Sequence, residues 1–233
     1  MYVLLEGGKP IGTAFAVQCN DMKKLITAGH NIHDTKGTFS IAPRVEIDHS
    51  GCTLFGGGRG YPKRVEVVSM NPTEDWAVLR LLAMSKFTEQ DSIPLCPMED
   101  LERIRQSDHF WVIHCPVETF TADGGIPCVE ANMSNRMYPI ATSLARNEIY
   151  LPIGLWKGCS GGVVVDSRSR AVAIHITSTS TAETLKEAAK KSGGDDTESD
   201  MVSVLKSHAD SHASYTTSRL LSCCDELLAA LEM

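Results

Sequence analysis

The first two thirds of the chain is a succession of short runs rich in β-branched and aromatic residues, with Gly, Pro, Asn or Asp between many of them. Thr13 to Val17, Leu25 to Ala28, Val65 to Met70 and Trp76 to Leu82 come first; Phe110 to Cys115, Val163 to Val165 and Ala171 to Thr177 follow. Runs of this kind, bounded by turn formers, read as strands. Before residue 180 no long segment repeats apolar residues at helical spacing beyond a turn or two within Met98 to Arg105, which argues against an alternating βα architecture. A barrel or a sandwich remains.

With 233 residues, 42% of them hydrophobic, the chain can bury the core of one large domain or of two small packed barrels. Phe87 to Ser107, with Pro94, Pro97 and several charges, has the composition of a linker between halves. The expected organisation is therefore a first barrel over 1–90, a linker over 91–107 and a second barrel over 108–217. Inside the second, Ser180 and Glu183 fit a capping box ahead of the helix formers TLKEAAKK, and the acidic run GDDTESD follows. An inserted helix and loop are expected at about 181–208. Leu220, Leu221, Cys224, Leu227, Leu228 and Leu231 recur at helical spacing, which predicts an amphipathic closing helix over 218–233, from Ser218 to Leu231.

Several function classes are disfavoured. The formal charge is −7 and no Lys/Arg cluster stands out, which argues against a nucleic-acid partner. No apolar run reaches the roughly 20 residues of a membrane helix. A basic leader ahead of a long apolar core is absent from the N-terminus, so an intracellular, cytoplasmic setting is expected. The eight cysteines include no CxxC pair and are expected as reduced thiols. His30 and His33, or His208 and His212, lack the Cys or carboxylate partners of familiar zinc sites. Neither a metal nor another cofactor is expected.

Three segments carry candidate chemistry: LITAGH ending at His30, EDWAVLRL with Asp75 before an apolar strand, and KGCSGG carrying Ser160. Each alone has a bland reading, as a turn histidine, a strand cap or a turn serine. Together, in this order, they resemble the chymotrypsin-like serine peptidases, whose signatures are a strand ending in T-A-x-H, an Asp opening an apolar strand, and G-x-S-G-G. The resemblance extends from about Gly12 to SYTTSRLLSCCDELL, which resembles the family's closing strand and C-terminal helix.

The resemblance implies an all-β fold of two packed six-stranded antiparallel barrels with a C-terminal α-helix. It implies a serine endopeptidase in which Ser160 is nucleophile, His30 the base and Asp75 the group that orients the imidazole. Imidazole suits that role because its ordinary pKa, near 6.5, lets it take a proton and return it. Gly158 and Ser160 would supply the oxyanion-hole N–H groups. Cys159 replaces the Asp that pairs with a cleaved N-terminus in the digestive enzymes, so no zymogen switch of that kind is expected. Asn31 replaces the half-cystine that follows their histidine. Viral relatives with a cysteine nucleophile place it directly before the glycines, where Ser160 stands.

His175, in AVAIHITSTS, resembles the pocket histidine of glutamyl endopeptidases and viral chymotrypsin-like processing proteases. That likeness implies a preference for Glu or Gln before the scissile bond, with Ile176, Thr177 and Ser178 as the edge that pairs with an extended peptide and Trp156 as a cleft wall. A core histidine and a core tryptophan are the alternatives. A free cellular enzyme and a domain released from a viral polyprotein both fit, and the sequence does not indicate an oligomeric state. The functional alternative is a catalytically inactive chymotrypsin-fold module that binds peptides; a metal-binding all-β protein is a further rival.

Overall fold

A computed structural model describes residues 1–19, 22–32, 36–42, 44–47, 53–54, 63–82, 92–105, 107–115, 121–123, 126–155, 158–179 and 215–233. Trp156, His33, His208, His212 and the segment expected as an inserted helix and acidic loop lie outside the described residues.

The first half is a ring of six strands: β1 (Tyr2–Glu6), β4 (Phe39–Ala42), β7 (Lys63–Asn71), β8 (Trp76–Leu81), β3 (Met22–Ala28) and β2 (Lys9–Cys19), closed by pairing of β2 with β1. A short strand β9 (Ser92–Ile93) adds to β2 in parallel. Leu4, Leu25, Phe39, Ile41, Ala77 and Leu79 fill the ring. Their neighbours Val3, Leu5, Ile26, Ala28, Trp76 and Val78 point the other way, into the seam with the second half. These strands are buried on both faces, so their sequence reads as continuous apolar runs instead of an alternation. Each fully buried Leu, Val or Phe contributes roughly 1.5–3 kcal/mol.

The second half is a sheet of β13 (Ala141–Ser143), β14 (Glu148–Leu151), β17 (Tyr215–Leu220), β16 (Ala171–Thr179), β15 (Val163–Asp166), β10 (Phe110–His114) and β12 (Ile126–Met133), with β5 (Arg44–Ile47) parallel to β12, β6 (Thr53–Leu54) beside β5, and β11 (Thr121–Asp123) on β12. Here the structure corrects the expectation of a second closed six-stranded barrel: among the described residues this sheet does not close. The order ends at β13 on one side and at β6 on the other, and among the described residues no ladder joins β12 to β13. Met137 still pairs with Phe110 on the way, but Pro139 has no N–H to continue a ladder.

The closing helix also differs from expectation. Ser218 to Leu220 belong to β17, paired on both sides with β14 and β16, and α2 covers only Asp225–Glu232. Two ladders hold these residues extended, outweighing a weak helical periodicity. Leu227, Ala230 and Leu231 lie on one face of α2 and cap the seam core. The linker contributes the single turn α1 (Met98–Leu101) and pairs Leu95 with Ala171.

Candidate active site

Strand β3 ends in a tight 3₁₀ turn, Gly29–Asn31, which carries His30. Asp75 sits in the turn between β7 and β8 with φ +57°, a left-handed conformation that Asp tolerates better than most residues. Asn71 builds that turn: its Oδ1 accepts from the N–H groups of Thr73 (2.9 Å) and Glu74 (3.0 Å), and its Nδ2 donates to Glu226 of α2 at 2.6 Å. Gly29 N–H donates to the Asp75 carbonyl at 3.0 Å. The two turns meet in a two-point contact: His30 N–H donates to Asp75 Oδ1 (2.7 Å) and His30 Nδ1 to Oδ2 (2.8 Å). The His30 side chain is 46% exposed and that of Asp75 21%. An imidazole with Nδ1–H committed to a carboxylate presents Nε2 as its base.

Ser160 enters from the second half on the turn between β14 and β15. Gly158 (φ +90°) and Gly161 (φ +85°) both require glycine's freedom. At Gly161 a side chain is also sterically barred, since a Cβ would lie 2.0 Å from the Thr13 carbonyl oxygen. The Ser160 carbonyl accepts from Thr13 N–H (2.9 Å) and from Asn31 Nδ2 (3.0 Å). Asn31 also donates to Thr27 Oγ1 (3.0 Å), which donates to the Thr13 carbonyl (2.7 Å). Thr13 Oγ1 in turn accepts from Cys115 N–H at 3.0 Å. This buried network joins the His30 turn to the Ser160 turn across the seam. Asn31, in the half-cystine's place, thus makes a polar tie between the two turns. Gly12 leaves room for it, as a Cβ there would lie 2.3 Å from Asn31 Nδ2.

The remaining sequence candidates lie behind Ser160. Gly161 N–H donates to the His175 carbonyl (2.8 Å) and His175 N–H to the Gly162 carbonyl (2.7 Å). Strand register then sorts the interior of the second half into two rows. Val112, Val164, Ala173 and Leu220 are successive partners and form an apolar row. One step towards Ser160 come His114, Gly162, His175 and Ser218, with His175 directly opposite Ser218. Thr216 lies on the same face as Ser218. His175, Ser218 and Thr216 are 2% exposed or less, and His175 Nδ1, Ser218 Oγ and Thr216 Oγ1 have no hydrogen-bond partner among the described residues. Burial, with His114 and His30 adding repulsion, pushes the His175 imidazole down to about 3. Ile176 is half-buried against the seam, Thr177 is exposed, and Ser178 continues the backbone of β16. Cys159 is fully buried.

Arg219 on β17 reaches over the seam as well. Its Nε donates to the Glu74 carbonyl (3.1 Å), its Nη1 lies 3.1 Å from Glu74 Oε2 and donates to the Arg146 carbonyl, and its Nη2 lies 3.5 Å from Glu148 Oε1. Sequence reasoning did not find Asn31 as a contact, nor Thr13, Thr27, Arg219 or His114. The one available signal was the pair of positions, Gly12 and Asn31, that depart from or flank the motif.

A carboxylate-held imidazole at the mouth of one β-barrel, tied across a seam to a Gly-Cys-Ser-Gly-Gly turn, is the architecture of the chymotrypsin-like serine peptidases. The sequence profile of the trypsin-like peptidase domain matches residues 12–174, and the chain belongs to that family. Among solved structures it is similar to the HtrA-type protease AlgW with a decapeptide, with a TM-score of 0.52 and 16% identity over 96% of this chain and 52% of that one. A serine endoprotease from Yersinia pestis matches with a TM-score of 0.47 and 17% identity over 71% of this chain and 47% of its own. The chain thus spans about half the length of these structures, and the likeness to AlgW is one of fold. No curated protein matches the chain.

Proposed function

We propose that this chain is a serine endopeptidase working through an acyl-enzyme. His30 Nε2 takes the Ser160 hydroxyl proton as Oγ attacks the peptide carbonyl. The resulting oxyanion is met by the N–H groups of Gly158 and Ser160, neither of which has a protein acceptor among the described residues. His30 then protonates the leaving amine as the C–N bond breaks, and water, activated by the same imidazole, releases the acyl group and restores Ser160. The observation that carries this reading is the two-point His30–Asp75 contact, tied to the Ser160 backbone through Asn31.

The proposal includes a preference for Glu or Gln before the scissile bond. Three polar atoms buried on one face next to the Ser160 turn, on His175, Ser218 and Thr216, lack partners among the described residues, and such burial costs about 1–3 kcal/mol per group unless something hydrogen-bonds there. A carboxylate or carboxamide side chain is a matching ligand, because hydroxyls donate to either. Past Ile174, β16 is no longer paired with β15 among the described residues, so the backbone of Ile176, Thr177 and Ser178 offers an edge to an extended peptide. The decapeptide carried by AlgW is compatible with a peptide substrate here.

A fluorophosphonate probe is expected to label the protein, and Ser160→Ala to abolish the label. Absence of labelling alongside peptide binding would instead indicate an inactive binding module. Cleavage of a peptide library is expected to concentrate after Glu and Gln, and a basic or aromatic preference would remove the pocket assignment.

A further inference from the structure

Cys159 is fully buried and its Sγ lies 3.0 Å from Nδ1 of His114, itself 5% exposed. The mechanism above uses neither side chain. His114 sits on a rigid base: it pairs with Asn132 in the β10–β12 ladder, and the next N–H, of Cys115, is held by Thr13 Oγ1. It also packs against the far side of the Ser160 turn, since a Cβ on Gly162 would come within 2.9 Å of His114 Cβ.

The turn needs such an anchor. Gly158 and Gly161 flank it with positive φ, and glycine resists rotation less than any other residue. The Ser160 N–H belongs to the planar peptide that also carries the Cys159 carbonyl. That carbonyl is held by Gly162 N–H at 3.0 Å. A second fixed point, on the Cys159 side chain, stops the plane from swinging and sets the preceding Gly158–Cys159 peptide with it.

We propose that Cys159 and His114 are a positioning pair, whose thiol–imidazole hydrogen bond holds the Cys159–Ser160 peptide of the turn so that the Ser160 N–H is aimed at the oxyanion. The pair does so without the cleaved N-terminus that the digestive enzymes use. This rests on the serine peptidase reading.

The test compares wild type with Cys159→Ala, His114→Phe, the double variant and Cys159→Ser. It reads the rate of fluorophosphonate labelling and the burst of p-nitrophenyl acetate hydrolysis, normalised to folded protein by thermal melting and near-ultraviolet dichroism. Each of the first two variants is expected to slow labelling about 10–100-fold, less than outright removal of an oxyanion donor, with burst amplitude unchanged. The double variant is expected to be no slower than either single one, and Cys159→Ser to recover most of the rate. Should His114→Phe fail to fold, Cys159→Ala removes only one heavy atom and decides alone. Rates within twofold of wild type in folded Cys159→Ala, or multiplicative losses in the double variant, overturn the pair but leave the peptidase reading intact. Wild type that takes no label at all overturns both.

Discussion

The first barrel is filled by Leu4, Leu25, Phe39, Ile41, Ala77 and Leu79 and keeps its reactive groups at the rim, where His30 and Asp75 are partly exposed and hydrogen-bonded to each other. The second half buries two histidines. His114 and His175 lie inside the sheet next to an apolar row, and His175, Ser218 and Thr216 sit there with polar atoms that have no partner among the described residues. A hydrocarbon filling would have been more stable in that row, so its polarity points to a task other than stability. On the proposed reading the first half contributes a paired base whose geometry matters, and the second a turn and a polar row whose environment matters. Substitutions should therefore act differently in the two halves.

The largest expected effect falls on the first half. Asp75→Asn keeps the shape of the two-point contact but leaves the imidazole without its anionic partner, and in an established triad that change costs about 10⁴ in turnover. Steady-state ester hydrolysis should fall by a similar factor while the melting temperature moves little. A loss under tenfold would mean that the pair is only structural.

Acid should act chiefly on the second half. Burial lowers the imidazole of His114 to about 4, and that of His175 to about 3. Between an ordinary 6.5 and those values the unfolded chain binds protons that the folded chain refuses, so stability is intact above pH 6.5 and drains as pH falls towards 4. For His114 the loss is on the order of 3 kcal/mol at about 1.4 kcal/mol per pKa unit. Denaturant titrations at several pH values should show it, and His175→Leu should flatten the acid limb. An unchanged limb in that variant would mean that His175 is hydrated and the pocket open.

The strands with continuous apolar runs, β3, β8, β10 and β15, could be read from the sequence because burial on two faces leaves a strong local signal. β1 and β14 were not anticipated: β1 is ordered between β2 and β4, and β14 acquires strand character from β17, far along the chain. The open second sheet was equally illegible, since the lone bridge of Met137 to Phe110 between β12 and β13 has no pattern in either segment. His30, Asp75 and Ser160 stood out because their chemistry demands particular neighbours. Asn31, Thr13 and Thr27 did not, as a buried hydrogen bond between residues as distant as Asn31 and Ser160 leaves no pattern within either segment.

Across the seam the effects should be intermediate. Asn31→Ala leaves Thr27 Oγ1 and one lone pair of the Ser160 carbonyl unserved, a loss of about 1–3 kcal/mol. Because the tie joins the two turns, turnover should fall along with stability, whereas Thr27→Val should reduce stability more than turnover. Equal effects in the two variants, measured by chemical denaturation and ester hydrolysis, would show that Asn31 serves packing alone.

The smallest effect separates charge from shape. Arg219 holds the Glu74 carbonyl next to Asp75 while also meeting Glu74 Oε2 and Glu148 Oε1. Arg219→Lys keeps the positive charge but cannot reproduce a planar fork that serves the Glu74 and Arg146 carbonyls at once. The Asn71 turn and the Gly29 contact still hold Asp75, so the change should cost roughly 1 kcal/mol, the net worth of one hydrogen bond, and a severalfold drop in turnover. Salt should barely alter the difference if geometry is what Arg219 supplies, because screening acts on charge alone. A deficit that grows steeply at low salt would assign its role to the field it exerts on Glu74 and Glu148, and would move the control of Asp75 from the second half's shape to its charge.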